Sequence, residues 1–478
     1  MAVSPRVLPD RTGIFIIAHN NNTIELLHAA LISFLNFDHD FGTNSALQAI
    51  SSDNTCVLGL VMVASILILG GCSPDDSHVK SILQRAKERL ENVTPSVGIR
   101  ERQLVQAASL YMNGYRYQAM DLWENLIYES DCLNDLLAAK LLSSAAFFTG
   151  ESRHGRIART TETMLLAWDK NSYLRTSEYY SHLLSLNTFG LGEFMHYAKA
   201  ERSALKALAL YPSDVFALCT FCHVMLEQGG RTQEALHLLS TTEEKWNVHG
   251  GLVCHINWYW ALFYIEVGMY DNALELFDRK IITAVQNSEG SMLDVTDAVS
   301  LLWRLELLHR SVGSHRWDAI YVVLAPLITP ISSLLHVYSI CATHIMVLLC
   351  RADSNAAAEF LRFLTDDNID HSKLIPSDEL YLKHQSRRVG FLLCEALYNY
   401  FTEENFQGAL SNFLLLRNYM GCCGGSLPQH DVFHQTLISC AIRLGRLKLA
   451  SSLMVDRFSS KQSNVTDFFK ECINNHQR

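Results

Sequence analysis

The chain has 478 residues, of which 49% are hydrophobic and 18% are charged, and its formal net charge at pH 7 is −10. This composition is typical of a folded chain with a large buried core, and it excludes long disordered segments. Because the net charge is negative and basic residues do not cluster, we do not expect the protein to bind nucleic acid.

The N-terminal hundred residues contain the segment that most resembles a membrane span, Cys56 to Cys72. Its uncharged stretch is shorter than the roughly 20 residues needed to cross a bilayer, and it contains glycines. We therefore predict a buried helix over 56–72, inside an N-terminal helical region over 1–100, and no association with a membrane. The first residues show no secretory signal, so the thirteen cysteines are interpreted as reduced core thiols of a cytoplasmic protein.

A short pattern recurs between residues 101 and 460. It consists of a glycine or polar turn, a small residue about five positions later, and an aromatic or apolar residue four positions after that. The clearest copy, "GMYDNALELFDRKI", has Gly268, Ala273 and Phe277 at these places, and the copy near residue 319 has Ala319 and Val323. Copies are centred on residues 119, 155, 200, 235, 273, 319, 357, 409 and 450.

This spacing suits helix-turn-helix repeats of about 34 residues or more. The small residue lets the two helices of a hairpin approach, and the aromatic residue fills the gap between hairpins. The sequence thus predicts an all-α, tetratricopeptide-like right-handed solenoid of about nine helical hairpins, with few or no strands. Turns are expected near Gly114, Gly230, Gly268 and Gly445, and a C-terminal helix or tail over 461–478.

The stretch "CTFCH", which contains Cys219, Cys222 and His223, has the spacing of a c-type haem attachment site. In the repeat pattern, however, it lies on the first helix of a hairpin with both cysteines facing inward. A zinc site would need a second pair of ligands at suitable spacing, and no other C-x-x-C occurs. We therefore expect neither a cofactor nor a bound metal, and we interpret both cysteines as core residues.

Polar residues on three successive first helices form the candidate site. They are His223, then His255 and Trp258, then Asp297 and Arg304, with Asp294 nearby. First helices of a solenoid line its concave surface, so these side chains could meet in one groove suited to an anionic group with an apolar body. The alternative is that Asp294 or Asp297 caps a helix or forms a salt bridge within the stack, that His255 is a hydrogen-bonded core histidine, and that the tryptophans fill the gaps between hairpins. No catalytic residue is assigned, since nucleophile-elbow, phosphate-loop and H-E-x-x-H motifs do not occur.

The ordered run "LCTFCHVMLEQGGR", "EEKWNVHGGLVCHINWYWALFYIEVGMYDNALELFD" and "MLDVTDAVSLLWRLE", followed by "RWDAI" and "HDVFHQTLISCAIRLGR", resembles the tetratricopeptide repeat protein 38 family over about residues 45 to 460. The resemblance implies an all-helical tetratricopeptide solenoid. It also implies further histidines at the positions of Leu60, Cys219 and Tyr259, so this chain has only part of that family's histidine cluster.

Two functions follow from these patterns. The first is a non-enzymatic scaffold that binds a protein or peptide partner in its concave groove, as tetratricopeptide repeats in general do. The alternative is a metal- or small-ligand-binding protein, or a degenerate enzyme, with a pocket around His223, His255 and Asp297.

Overall fold

The computed structural model is built almost entirely of α-helices, and it describes residues 6–94, 97–130, 133–150, 155–247, 250–329, 338–365, 377–460, 463 and 465–476. The one sheet within these residues is an antiparallel pair, β1 (Val7–Pro9) and β2 (Phe15–Ile17), in which Val7 is opposite Ile17. No helix in the described part of the chain is both long enough and apolar enough to cross a bilayer.

The chain divides into two compact units. Unit 1 consists mainly of residues Met1–Thr220. Besides the two strands it contains α1 (Asn21–Leu35), α2 (His39–Ser52), α3 (Val57–Leu69), α4 (Ser77–Glu91), α5 (Ile99–Met112), α6 (Arg116–Glu129), α7 (Leu136–Thr149), α8 (Arg156–Trp168), α9 (Ser172–Thr176), α10 (Tyr179–Glu193) and α11 (Tyr197–Leu210).

Unit 2 consists mainly of residues Phe221–Val248, Leu252–Asp370 and Leu382–Arg478. A π-helical turn, Phe277–Ile281, joins two of its helices, α15 and α16. Two of the helices, α12 and α21, begin with residues of unit 1. The helices are α12 (Val215–Gln228), α13 (Thr232–Trp246), α14 (Val253–Glu266), α15 (Tyr270–Leu276), α16 (Ile282–Asn287), α17 (Met292–Leu307), α18 (Ser314–Leu324), α19 (Ser339–Ala352), α20 (Ser354–Thr365), α21 (Ser377–Phe401), α22 (Phe406–Leu416), α23 (Leu427–Arg443), α24 (Leu447–Ser460) and α25 (Val465–His476).

The apolar segment around residue 60 forms α3, which contacts α2, α4 and α5 within unit 1. Almost all of its residues are buried, and Leu67 is its exposed large side chain. A helix that is hydrophobic on every side must be surrounded by other helices or by lipid. In this unit neighbouring helices provide the cover.

The repeat markers fall where the hairpin pattern requires them. Each of the nine centres lies in the second helix of a hairpin, or caps it, and these helices are α6, α8, α11, α13, α15, α18, α20, α22 and α24. The marker alanines of α13, α15 and α24, Ala235, Ala273 and Ala450, are completely buried. The all-α helical-repeat class is therefore confirmed, whereas the predicted boundaries at residues 100 and 460 stay a prediction.

The copy in α18 differs from the predicted register. Ala319 is only half-buried, while Trp317, Ile320 and Leu324 form the buried face. These three side chains also follow helical spacing, and they remove far more apolar area from water than Ala319 and Val323 would. The larger residues therefore decide which face of α18 points inward.

The predicted turns need glycine because of their backbone conformation. Gly230, Gly268 and Gly445 have φ values of 71°, 76° and 65°. A side chain at these positions would meet no neighbouring atom within 4 Å. The requirement is therefore the left-handed backbone that ends each first helix, not a lack of space.

Candidate functional site

Four of the five predicted site residues form one series of contacts in unit 2. The Nδ1 atom of His255 lies 2.8 Å from Oδ2 of Asp297. The His255 ring stacks on Trp258 with centroids 5.0 Å apart and an interplanar angle of 12°. The guanidinium carbon of Arg304 lies 5.3 Å from the centroid of the Trp258 ring. We call these four residues the His255 cluster.

Helix geometry explains the cluster. His255 and Trp258 are three residues apart on α14, and Asp297 and Arg304 are seven apart on α17, so each pair shares one face of its helix. Since α14 and α17 pack against each other, the two faces meet. This part of the candidate site could be predicted from spacing alone.

The cluster is almost entirely enclosed. Asp297, Trp258 and Arg304 are buried, whereas 16% of the His255 side chain is exposed. The histidine is therefore the member that a small ligand could reach. The Asp297 carboxylate, which approaches Nδ1, fixes the orientation of the ring and leaves Nε2 on its other side.

A second carboxyl group, Asp294, lies one helical turn before Asp297. Burial, followed by the nearby charge of Asp297, raises its pKa to about 6, although a hydrogen bond from Ser288 and the proximity of His255 oppose this shift. The Cys254 thiol is hydrogen-bonded to Asp294, and burial raises the pKa of this thiol well above its ordinary value. A buried thiol of this kind is a poor nucleophile.

Arg304 makes its hydrogen bonds inside unit 2. Its Nη1 donates to the Ser300 carbonyl at 3.2 Å, and its Nη2 donates to the Pro428 carbonyl at 2.7 Å. Burial lowers the pKa of Arg304 to about 10, against the opposing charge of Asp431. The guanidinium thus links α17 to the start of α23, where a capping interaction between Ser426 and Gln429 begins the helix.

His223, the fifth predicted residue, is buried in α12. Cys219 and Cys222 on the same helix are buried too, as their inward register predicted. In the described part of the chain, no group of three or more histidine, cysteine, aspartate or glutamate side chains could hold a metal ion.

A further set of polar residues in unit 2 was missed at the sequence level. Arg457 on α24 binds Asp431 on α23 through two hydrogen bonds of 2.7 and 2.8 Å, and Nη1 of Arg457 donates to Thr466 at 3.0 Å. The Ser463 hydroxyl lies 3.4 Å from Nη2 of Arg457 and donates to the Glu266 carboxylate at 2.7 Å. We call Arg457, Asp431, Ser463 and Glu266 the Arg457 network.

A cavity of about 490 Å³ lies beside this network. The ends of α12 and α14, the turn between α12 and α13, and residues of and before α25 form its walls, and none of the five predicted residues lines it. We call it the Glu266 cavity, and its lining residues are Met225, Leu226, Gly229, Gly230, Arg231, Thr232, Gln233, Glu234, Phe263, Glu266, Val267, Ser463 and Asp467.

No family model matches the chain. Among solved structures, the chain is similar to the crystal structure of the yeast Tom70, with 11% sequence identity, coverage of 96% of both chains and a TM-score of 0.30. A likeness of this size assigns neither an activity nor a partner.

Proposed function

We propose that this chain is an interaction protein that binds a short segment of a partner protein in the Glu266 cavity. The observation that carries the proposal is the position of this cavity at the ends of α12 and α14, the first helices of two successive hairpins. Helical repeats in general present such grooves to peptides. The resemblance to the tetratricopeptide repeat protein 38 family implies a tetratricopeptide solenoid, which is the kind of fold that presents such grooves.

The size and walls of the cavity suit a peptide. A volume of about 490 Å³ lies within the usual range of about 300–1,000 Å³ for ligand sites, and it can hold a few side chains. Gly229 and Gly230 form part of one wall and have left-handed φ values of 67° and 71°. Because glycine has no side chain, the backbone of this turn is open to a bound segment.

A blocking substitution tests the proposal. Val267 is half-buried at the cavity, so Val267→Trp should fill it, while Val322→Trp makes the same change at an exposed site on α18. Peptides selected by the full chain from a displayed random 12-residue library should bind the parent and Val322→Trp alike in fluorescence anisotropy. Binding to Val267→Trp should be at least about tenfold weaker, a loss of about 1.4 kcal/mol.

Two results would contradict the proposal. The first is a library selection that enriches no peptide above a selection without protein. The second is equal binding of the selected peptides to Val267→Trp and to the parent, which would place the binding site elsewhere. Thermal melts of both variants check that the comparison is made between folded proteins.

The His255 cluster supports a second candidate, a small-ligand site around the partly exposed ring of His255. Carboxyl groups with shifted pKa values beside a histidine are typical of ligand and catalytic sites, and Asp294 is such a group. Native mass spectrometry of the purified parent and of a His255→Ala, Arg304→Ala double variant tests this candidate. A bound small molecule or metal lost from the variant would support it, and identical bound species in both would contradict it.

A further inference from the structure

A second cavity, of about 230 Å³, lies within unit 1. Its walls are the start of β2 with the loop before it, the start of α5, the end of α6 and the loop before α7. We call it the Arg100 cavity. We infer that it binds the carboxamide side chain of a glutamine or asparagine in an extended segment of a partner protein. The inference goes beyond the proposed function, because the two cavities share no residue.

Arg100 offers the cavity a hydrogen-bond donor that lacks an acceptor. Its Nε donates to Oδ2 of Asp135 at 2.6 Å, and its Nη2 donates to Oδ1 of the same carboxylate at 2.9 Å. The third nitrogen, Nη1, is buried and has no hydrogen-bond partner in the described part of the chain. A buried donor without an acceptor is costly, so a ligand that supplies an oxygen atom here is favoured.

Asn134 offers the complementary acceptor to the same cavity. Its Nδ2 donates to the Thr12 carbonyl at 2.7 Å, which determines the orientation of the amide. Its Oδ1 is buried and receives no hydrogen bond from the described residues. A carboxamide matches this pair of groups, because its oxygen can accept from Arg100 while its NH₂ group donates to Asn134.

The charges around the guanidinium favour a neutral ligand. The guanidinium interacts electrostatically with the carboxyl groups of Asp135, Glu101 and Asp10, which outnumber this one cation. A carboxylate or phosphate ligand would meet like charge, and an ammonium group offers no acceptor to Nη1 of Arg100. A carboxamide carries both an oxygen and N–H groups without a net charge.

The sheet edge at the cavity can pair with the backbone of an extended segment. Phe15 on β2 is opposite Pro9, and in the next pair Asp10 N–H donates to the Ile14 carbonyl at 2.7 Å. Because bonded and non-bonded pairs alternate in antiparallel strands, the N–H and C=O groups of Phe15 point away from β1. Since Phe15 lines the cavity, a segment added along this edge would bring one of its side chains to the cavity.

Exposed apolar side chains accompany these polar groups. Phe15 and Ile99 both line the cavity, and they are 64% and 56% exposed. A bound segment would cover these two side chains with its own apolar residues and remove their surface from water. The walls therefore combine a hydrocarbon surface with one donor and one acceptor, which is the usual composition of a specific binding site.

Peptide sets with one fixed position test the inference. Fluorescein-labelled, amidated nonapeptides carry glutamine, asparagine, glutamate, methionine or lysine at the central position and mixed residues elsewhere. Their binding to the full chain is measured by fluorescence anisotropy. Glutamate has the shape of glutamine with a charge, and methionine has a similar length without its amide. We expect the better of the two amide sets to bind about tenfold more strongly than the other three sets.

Matched variants assign the effect to the Arg100 cavity. Arg100→Lys keeps a cation beside Asp135 but removes Nη1, so the preference for amides should be lost. Arg156→Lys is the control and should keep the preference. Arg156 on α8 also binds carboxylates through Nε and Nη2, its side chain is 13% exposed like that of Arg100, and it does not line the cavity.

A second pair of variants serves if Arg100→Lys does not fold. Phe15→Ala and Phe41→Ala both shorten an exposed phenylalanine, but only Phe15 lines the cavity. Binding of the amide sets should weaken in Phe15→Ala and stay unchanged in Phe41→Ala.

Four results would overturn the inference. They are equal binding of the amide and methionine sets, a preference for glutamate or lysine, a preference that survives Arg100→Lys, and binding of no set. The preference should persist in Val267→Trp, whose substitution lies at the Glu266 cavity. Its loss in that variant would assign the amide preference to the Glu266 cavity and also overturn the inference.

Discussion

Asp294 gives the chain a pH dependence that one substitution can isolate. In an unfolded chain an aspartate titrates near pH 3.9, whereas the pKa of Asp294 in the folded state is about 6. Between these values the folded state binds more protons than the unfolded state, so the free energy of unfolding falls as the pH rises from about 4 to 6. Three neighbouring titratable groups influence the pKa of Asp294, namely those of Asp297, His255 and Cys254.

Asp294→Asn should remove this fall in the free energy of unfolding with rising pH, because asparagine stays neutral and can keep a hydrogen bond with Ser288. Relative to the parent, we expect the variant to gain about 2 kcal/mol in free energy of unfolding when the pH is raised from 4 to 7. Urea unfolding at both pH values measures the gain, with the exposed Asp318→Asn as control. A difference between variant and parent that does not change with pH would contradict the prediction.

Lys140 in unit 1 is a buried amine among aromatic rings. Its Nζ lies 3.3 Å from the centroid of the Phe37 ring and 5.0 Å from the centroid of the Phe216 ring. Burial lowers its pKa well below the ordinary value, against the opposing charge of Asp214. The ring faces favour the ammonium form, but desolvation has the larger effect.

Lys140→Met should therefore stabilise the protein at neutral pH. At a pH below the ordinary lysine pKa of about 10.4, the amine is protonated in the unfolded chain. In the folded chain, burial disfavours the protonated form of Lys140. Stability of the parent thus increases as the pH rises toward 10, and the advantage of the variant should shrink over the same interval. Melting temperatures at pH 7, 8.5 and 10 measure this, and an advantage that grows with pH would refute it.

At the scale of the element, the hairpins offer a comparison between two alanines at equivalent marker positions. Ala273 on α15 is completely buried, whereas Ala319 on α18 is half-buried because Trp317 and Ile320 occupy the inner face. Ala273→Phe should cost about 1–3 kcal/mol by overpacking, while Ala319→Phe should cost much less. Thermal melts of the two variants compare the costs. Similar melting temperatures would mean that the helices of the α14–α15 hairpin do not approach closely.

The same pair of helices shows what local sequence can and cannot predict. In α15 a turn glycine, a small residue and an aromatic residue agree with one register, so the buried face of α15 is readable from the sequence. In α18 two sets of residues share helical spacing, and only packing against neighbours decides that Trp317 turns inward. A local pattern therefore predicts that a helix is present more securely than it predicts which side is buried.

Across the whole molecule, predictability falls with separation along the chain. The His255–Asp297 contact joins residues of neighbouring first helices, and repeat spacing placed it. The Ser463–Glu266 hydrogen bond spans 197 residues, and the Arg304–Pro428 bond spans 124. No periodic signal connects such positions in a single sequence. The one local indication of this network in the sequence is Glu266, an acidic residue at the end of an apolar helix and directly before a turn.

The cysteines test the packing of the whole chain at once. Eight of the twelve described cysteines are buried, and they are spread over both units: Cys56, Cys219, Cys222, Cys254, Cys341, Cys394, Cys423 and Cys440. Burial raises the pKa of Cys56 to about 12 and that of Cys341 to about 11, so these thiols are both shielded and protonated at neutral pH. Alkylation requires an exposed thiolate.

We therefore expect iodoacetamide at pH 8 to label the eight buried cysteines of the native protein far more slowly than the half-buried Cys422 and Cys472. In denaturant all of them should react at similar rates, since the difference arises from structure. Peptide mass spectrometry over a time course measures each site separately. If buried cysteines in one stretch of helices react as fast as the half-buried ones, that stretch opens locally at low cost, because alkylation traps the open state. Rapid labelling at all eight would contradict the stacked arrangement of hairpins itself.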